Sequence, residues 1–100
     1  MLTSQLDGSK LTLRLEVESL DAGNAASFKQ ELATYDFSKL TQVILVMSAV
    51  SFVDSSGVGA LLSLQKRLPP TAGNLNLKGT NTAVVGVIEL LRLNRVFKLV

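Results

Sequence analysis

The sequence holds neither cysteine nor histidine. Without cysteine there is no disulfide framework, no thiolate metal site and no thiol nucleophile. Without histidine, the commonest general base and a common zinc ligand are missing too. Most hydrolytic mechanisms are therefore closed. No metal site is expected, and no cofactor is implied, because a phosphate loop of the Gly-Lys-Ser kind is absent as well. Long apolar runs are lacking: none approaches the roughly 20 residues that cross a bilayer, and the N-terminal MLTSQLDGSK lacks the basic-then-apolar order of a signal peptide. These absences predict a cytoplasmic protein that is not inserted in a membrane and is not an enzyme.

What is present is an ordinary globular composition. The 100 residues are 47% hydrophobic and 18% charged, which predicts one domain over residues 1–100 with a single hydrophobic core. The net charge of +2 conceals an asymmetry, since residues 1–50 hold six acids to four bases and residues 51–100 hold two acids to six bases. A basic half raises the question of nucleic acid or an acidic membrane surface. The bases stand singly, apart from Lys66-Arg67, and have no aromatic neighbours, so direct nucleic-acid binding is not expected.

The first residues read as a hairpin, with Leu2 to Leu6 and Lys10 to Val17 flanking a turn at Asp7-Gly8-Ser9. Leu11, Leu13, Leu15 and Val17 alternate with Lys10, Thr12, Arg14 and Glu16, the period of a sheet buried on one face and wet on the other. Helices should then cover only one face. After Ser19 the period becomes helical through Ala25, Phe28, Leu32 and Tyr35, with Asp21 or Asn24 as N-cap. Val43 to Val46 reads as a buried strand, and Val58, Leu61, Leu62, Leu64 and Leu68 as a second helix of about three turns, stopped by Pro69-Pro70. Leu75 and Leu77 mark a short strand. Val84, Val87, Ile88 and Leu91 mark a third helix capped by Asn81 or Thr82, and Val96 to Val100 a closing strand or tail. The order ββαβαβα predicts a single-domain α/β fold whose pairing after the hairpin is mostly parallel, with right-handed crossovers.

The segment VILVMSAVSFVDSSGVGALLSLQKRL, residues 43–68, runs from the buried strand through Asp54-Ser55-Ser56-Gly57 straight into a helix. Two hydroxyls thus stand at a helix N-terminus, where free backbone N–H groups and the aligned peptide dipoles favour an anion. A phosphoserine fits there without melting the helix, and Gly57 and Gly59 keep the surrounding surface low enough for another protein to approach. The same four residues also meet the needs of ordinary helix capping.

The whole segment resembles the signature of the STAS domain, as in bacterial anti-sigma factor antagonists: an apolar strand, then Asp-Ser-Ser/Thr-Gly-Leu/Val-Gly, then a leucine-rich helix. Ser19-Leu20-Asp21-Ala22 is similar to the family's Leu-Asp-Ala before the first helix, and Leu90 to Phe97 to its final helix and closing strand. The resemblance implies a mixed sheet with helices on one face and no catalytic residues. It also implies phosphorylation of Ser55 by a partner that is both anti-sigma factor and serine kinase, with a phosphatase as a further partner. In that reading Asp54 fixes the loop backbone, Ser56 supports it, and Gly57 and Gly59 complete the switch surface. STAS domains that dock on lipid or anion transporters are the alternative. One departure stands out: many relatives carry an aspartate eight residues before the Asp-Ser pair, where this chain has Val46. Leu90 and Leu93 fall outside the last helix's apolar stripe; exposed they would form a small contact patch, but leucines so placed are more often packed on the chain's own tail.

Overall fold

Strands β1 (Leu2–Asp7) and β2 (Lys10–Leu15) form the expected hairpin in a computed structural model that describes residues 1–100. Asp7 pairs with Lys10, Gly8 takes φ +62°, and Ser9 is not among the positive-φ residues. This is the II′ pattern, whose twist matches a two-residue hairpin loop. The chain continues through β3 (Ser19–Leu20), α1 (Ala25–Leu32), β4 (Gln42–Val46), β5 (Phe52–Val53), α2 (Ser55–Arg67), β6 (Asn76–Lys78), α3 (Thr82–Leu90) and β7 (Lys98–Leu99). The main sheet has five strands in the order β1-β2-β4-β6-β7, parallel throughout except for the β1–β2 hairpin. The three helices connect successive parallel strands, so each begins at the end of the sheet where those strands stop.

The mixed sheet with one helical layer agrees with the alternation in β2. Leu11, Leu13 and Leu15 are buried while Lys10 and Arg14 are exposed. Facing them in register, Val43 and Leu45 of β4 join Phe28 of α1, Leu61 and Leu64 of α2, Val84 and Ile88 of α3, and Leu77 of β6 in one cluster of 24 buried residues. Deleting a fully buried leucine from such a cluster costs about 2 to 5 kcal/mol.

Several boundaries differ from the sequence reading. β2 ends at Leu15, and residues 19–20 and 52–53 form a second sheet of two short parallel strands. Two-residue strands carry no periodicity, so only the pairing itself defines them. The first helix ends at Leu32, leaving Tyr35 in the turn beyond. Asn24 occupies its N-cap position but makes no side-chain cap bond; its Oδ1 accepts from the Asp21 N–H instead. α2 ends before the proline pair as expected, with Leu68 already extended. Asn76, read as a polar alternate, is buried, and its amide donates to the Val43 carbonyl across the β4–β6 pair. Of the two leucines outside the apolar stripe, Leu90 is 82% exposed, whereas Leu93 is half-buried against the core, where a short 3₁₀ turn, Leu93–Arg95, folds it back.

Candidate functional site

The Asp54 side chain is the junction of three segments. Its Oδ1 accepts from the Gly57 N–H at 2.9 Å, which caps α2, and its Oδ2 accepts from the Ala22 N–H at 3.1 Å, which ties α2 to the approach of α1. The backbone adds a third link, from the Asp54 N–H to the Leu20 carbonyl at 3.3 Å. A carboxylate suits this place because both of its oxygens are needed as acceptors and neither neighbour offers anything but an N–H. The sequence predicted that Asp54 holds its own loop. The second attachment, to a residue 32 positions away, had no local signal.

Ser55 and Ser56 follow as the first two residues of α2, both exposed, and neither hydroxyl has an intramolecular hydrogen-bond partner. Such groups are free for chemistry and not committed to structure. Phe52, 54% exposed, stands three residues before Ser55. It went unremarked in the sequence because it sits in an apolar run, and its place on β5 turns it outward.

Gly57 requires a correction. Expected to keep the surface low for a partner, it is itself buried, and a Cβ there would collide with the Leu20 carbonyl oxygen and lie 2.8 Å from both the Leu20 carbonyl carbon and Val53 Cγ1. Its missing side chain lets α2 lie against the backbone of β3. Gly59 is different: it is half-exposed, with open space where a Cβ would point.

The surrounding rim comes from other loops at the same end of the sheet. The Ser51 N–H and hydroxyl both donate to the Glu18 carbonyl, at 2.7 and 3.1 Å, and the Asn81 amide donates to the Ser51 carbonyl at 3.3 Å. Asn81 Oδ1 meanwhile accepts from the Val84 N–H at 2.8 Å, capping α3, so of the two caps predicted there Asn81 is the one used. Asp21 takes no capping role. Its carboxylate accepts from the Ser19 hydroxyl at 2.7 Å and the Gly23 N–H at 2.9 Å, and these bonds, the Ser19 one foremost, hold its pKa below the ordinary carboxylate value. No group of three or more acidic side chains is placed to hold a metal ion, and no helix is long and apolar enough to cross a membrane.

The STAS domain family model matches residues 3–100. Among solved structures, the anti-sigma factor antagonist SpoIIAA of Bacillus is 24% identical in its unphosphorylated form, covering 100% of this chain and 88% of that one with a TM-score of 0.76. An antisigma-factor antagonist STAS domain from Rhodobacter sphaeroides is 27% identical over 83% of this chain and 89% of that one, with a TM-score of 0.62. The murine anion transporter Slc26a9 is 26% identical over 86% of this chain but only 14% of that one, with a TM-score of 0.72.

Proposed function

This chain belongs to the STAS domain family, and from that premise we propose that it is an anti-sigma factor antagonist switched by phosphorylation of Ser55. The observation that carries the reading is a contrast inside one tetrapeptide. Asp54 has both carboxylate oxygens engaged in holding the loop, while the adjacent Ser55 hydroxyl is exposed and unpartnered at the start of a 13-residue helix. A loop built only to cap a helix needs the aspartate and not the free hydroxyls. Unphosphorylated, the chain binds a cytoplasmic anti-sigma factor with serine kinase activity and so frees a sigma factor for transcription. Phosphorylated, it lets go until a phosphatase restores it. The chain itself is a binding module and not an enzyme.

The energetics suit a switch that acts on the partner and not on the fold. Phosphorylation adds a charge of about −1.5 to −2. At an exposed helix N-terminus that charge gains about 0.3 to 1 kcal/mol, which repulsion from Asp54 offsets. Against a partner, an unpaired phosphate in a desolvated contact costs several kcal/mol, and each 1.4 kcal/mol is about tenfold in affinity. The test is to incubate the chain with ATP and each serine kinase of its source cell and to map the phosphate by mass spectrometry. Ser55→Ala should abolish labelling while Ser56→Ala keeps much of it. The phosphorylated form should lose orders of magnitude in affinity for the kinase with little change in melting temperature. Labelling confined to Ser56, or affinity unchanged by phosphate, overturns the switch.

The likeness to Slc26a9 supports a second reading, permanent docking on an anion or lipid transporter, in which Ser55 is not modified. Stable co-purification with a membrane transporter from the source cell, without phosphate on Ser55, would favour it.

A further inference from the structure

The face of the main sheet turned away from the helices carries an arrangement that the switch loop does not explain. Pairing register places Arg14 of β2, Val46 of β4 and Lys78 of β6 side by side in one row. Val46 is only 7% exposed yet stands outside the 24-residue core, so what shields it lies on the open face. Its flanking neighbours, Arg14 and Lys78, have long aliphatic stems suited to lying over it while their charged ends remain in water. With strands about 4.8 Å apart, the Arg14 and Lys78 Cα atoms are about 10 Å apart. Lys98 of β7 pairs with Asn76, which puts it one strand over and two residues along from Lys78, roughly 8 Å away.

None of these cations is paired: the one ion pair in the structure joins the N-terminal amine to Glu31. The acids on this face stand at the two ends of the hairpin, Asp7 opposite Lys10 at the turn and Glu16 just past the end of β2, two residues along from Arg14 and away from Lys78 and Lys98. Around the cations stand hydrogen-bonding side chains, Thr3, Gln5, Thr12 and Gln42, on the same face by register.

We propose that this open face is a second protein-docking surface, separate from the Ser55 loop, and that it takes an acidic segment of a partner through Arg14, Lys78 and Lys98. Charge complementarity names the occupant, and what is missing narrows it. No aromatic side chain lies on this face for bases to stack on, which argues against single-stranded nucleic acid. A membrane surface would call for apolar side chains to insert. The large exposed ones lie elsewhere, Leu6 on the core side of β1, Phe52 on β5, Leu90 and Leu91 on or just beyond α3, with only Val100 at the chain end on this side. Interleaved hydroxyls, amides and fixed cations suit carboxylates carried on a polypeptide.

The test uses the whole chain and a fluorescein-labelled peptide of alternating glutamate and serine. Binding is expected at about 50 mM salt, weakening severalfold by about 200 mM as the charges are screened. Amide shifts should fall on β2, β6 and β7. Arg14→Glu with Lys78→Glu should weaken binding at least tenfold, and Val46→Asp, which sets a carboxylate between the two cations, should do the same. Both variants are read only after circular dichroism shows them folded, and the surface double variant serves if Val46→Asp does not fold. Lys66→Glu, on the C-terminal turn of α2, and Ser55→Asp should leave peptide binding intact, which separates this surface from the switch. The proposal is overturned if the double variant binds the peptide as well as the parent does or if the shifts map to Lys66 and Arg67. It is equally overturned if vesicles of phosphatidylserine and phosphatidylcholine, or an oligonucleotide, bind while the peptide does not.

Discussion

α2 and α3 begin alike and diverge within their first turn. Each has an Asx residue whose Oδ1 accepts from the N–H three positions on, at 2.9 Å for Asp54 and 2.8 Å for Asn81, and each uses its other side-chain atom to hold a distant loop. A good N-cap is therefore no mark of function in this molecule. The difference lies in the next three residues. α2 continues Ser-Ser-Gly, with two free hydroxyls and a glycine pressed against the β3 backbone, whereas α3 continues Thr-Ala-Val, with the valine buried in the core. Even the lone hydroxyl of Thr82 has its counterpart in Ser55, so what sets the entry of α2 apart is the surface around it. Phe52 and the second serine are the features that α3 lacks, whereas Gly59 has a match in Gly86, which likewise has open space where a Cβ would point.

Set against α3, the largest effect is expected at Gly57. Gly57→Val gives α2 the residue that α3 has at the matching position, but here the side chain meets the Leu20 carbonyl and Val53. A loss of about 3 kcal/mol or more is expected, seen as a fall of well over 10 °C in melting temperature or as failure to fold. A variant as stable as the parent would show that α2 can shift off β3. This expectation reverses the one that comes from reading Gly57 as a surface residue.

Next come the caps themselves. Asp54→Ala removes the α2 cap and the bond to Ala22, and should cost about 2 to 3 kcal/mol in denaturant unfolding. Asn81→Ala removes an equivalent cap, but its second bond, at 3.3 Å, is long and exposed, so about 1 to 2 kcal/mol is expected. Equal losses would mean that the Ala22 attachment adds nothing.

The smallest effect is at the start of α1, where Asn24 makes no cap bond and Asp21 collects the local hydrogen bonds instead. Because the folded carboxyl titrates below its ordinary value, the stability it lends is present above the unfolded pKa and is lost as pH falls through the lower, folded one. NMR titration should place Asp21 below the ordinary carboxylate value. Ser19→Ala should move it back upward, since the Ser19 hydroxyl is the first cause of the shift. An unmoved titration would transfer the effect to the Gly23 N–H.

Much of this was legible in the chain because it is local. The II′ hairpin comes from glycine at one position, the single covered face from alternation in β2, the end of α2 from Pro69-Pro70, and the cap of α2 from Asp54 with the residues just after it. The candidate serine was legible for the same reason. What was not legible joins residues distant in sequence: β3 with β5, Asp54 with Ala22, Asn81 with Ser51. The chain left open whether Leu90 and Leu93 are exposed or packed, because helical periodicity says nothing about a 3₁₀ turn beyond the end of the helix.

The sequence by itself determined the elements, the covered face and the place where two hydroxyls meet a helix N-terminus, since periodicity, turn residues and caps act within a few positions of the chain. Only the tertiary structure decided which groups are spent on holding the molecule together and which are free. Asp54 and Gly57 are committed by contacts with the segment around Leu20 and Ala22, Ser55 and Ser56 are not, and Arg14 and Lys78 become neighbours only through the strand between them. Burial and strand register are properties of the folded chain, and residues separated by 30 or more positions acquire a common surface only when the sheet brings them together.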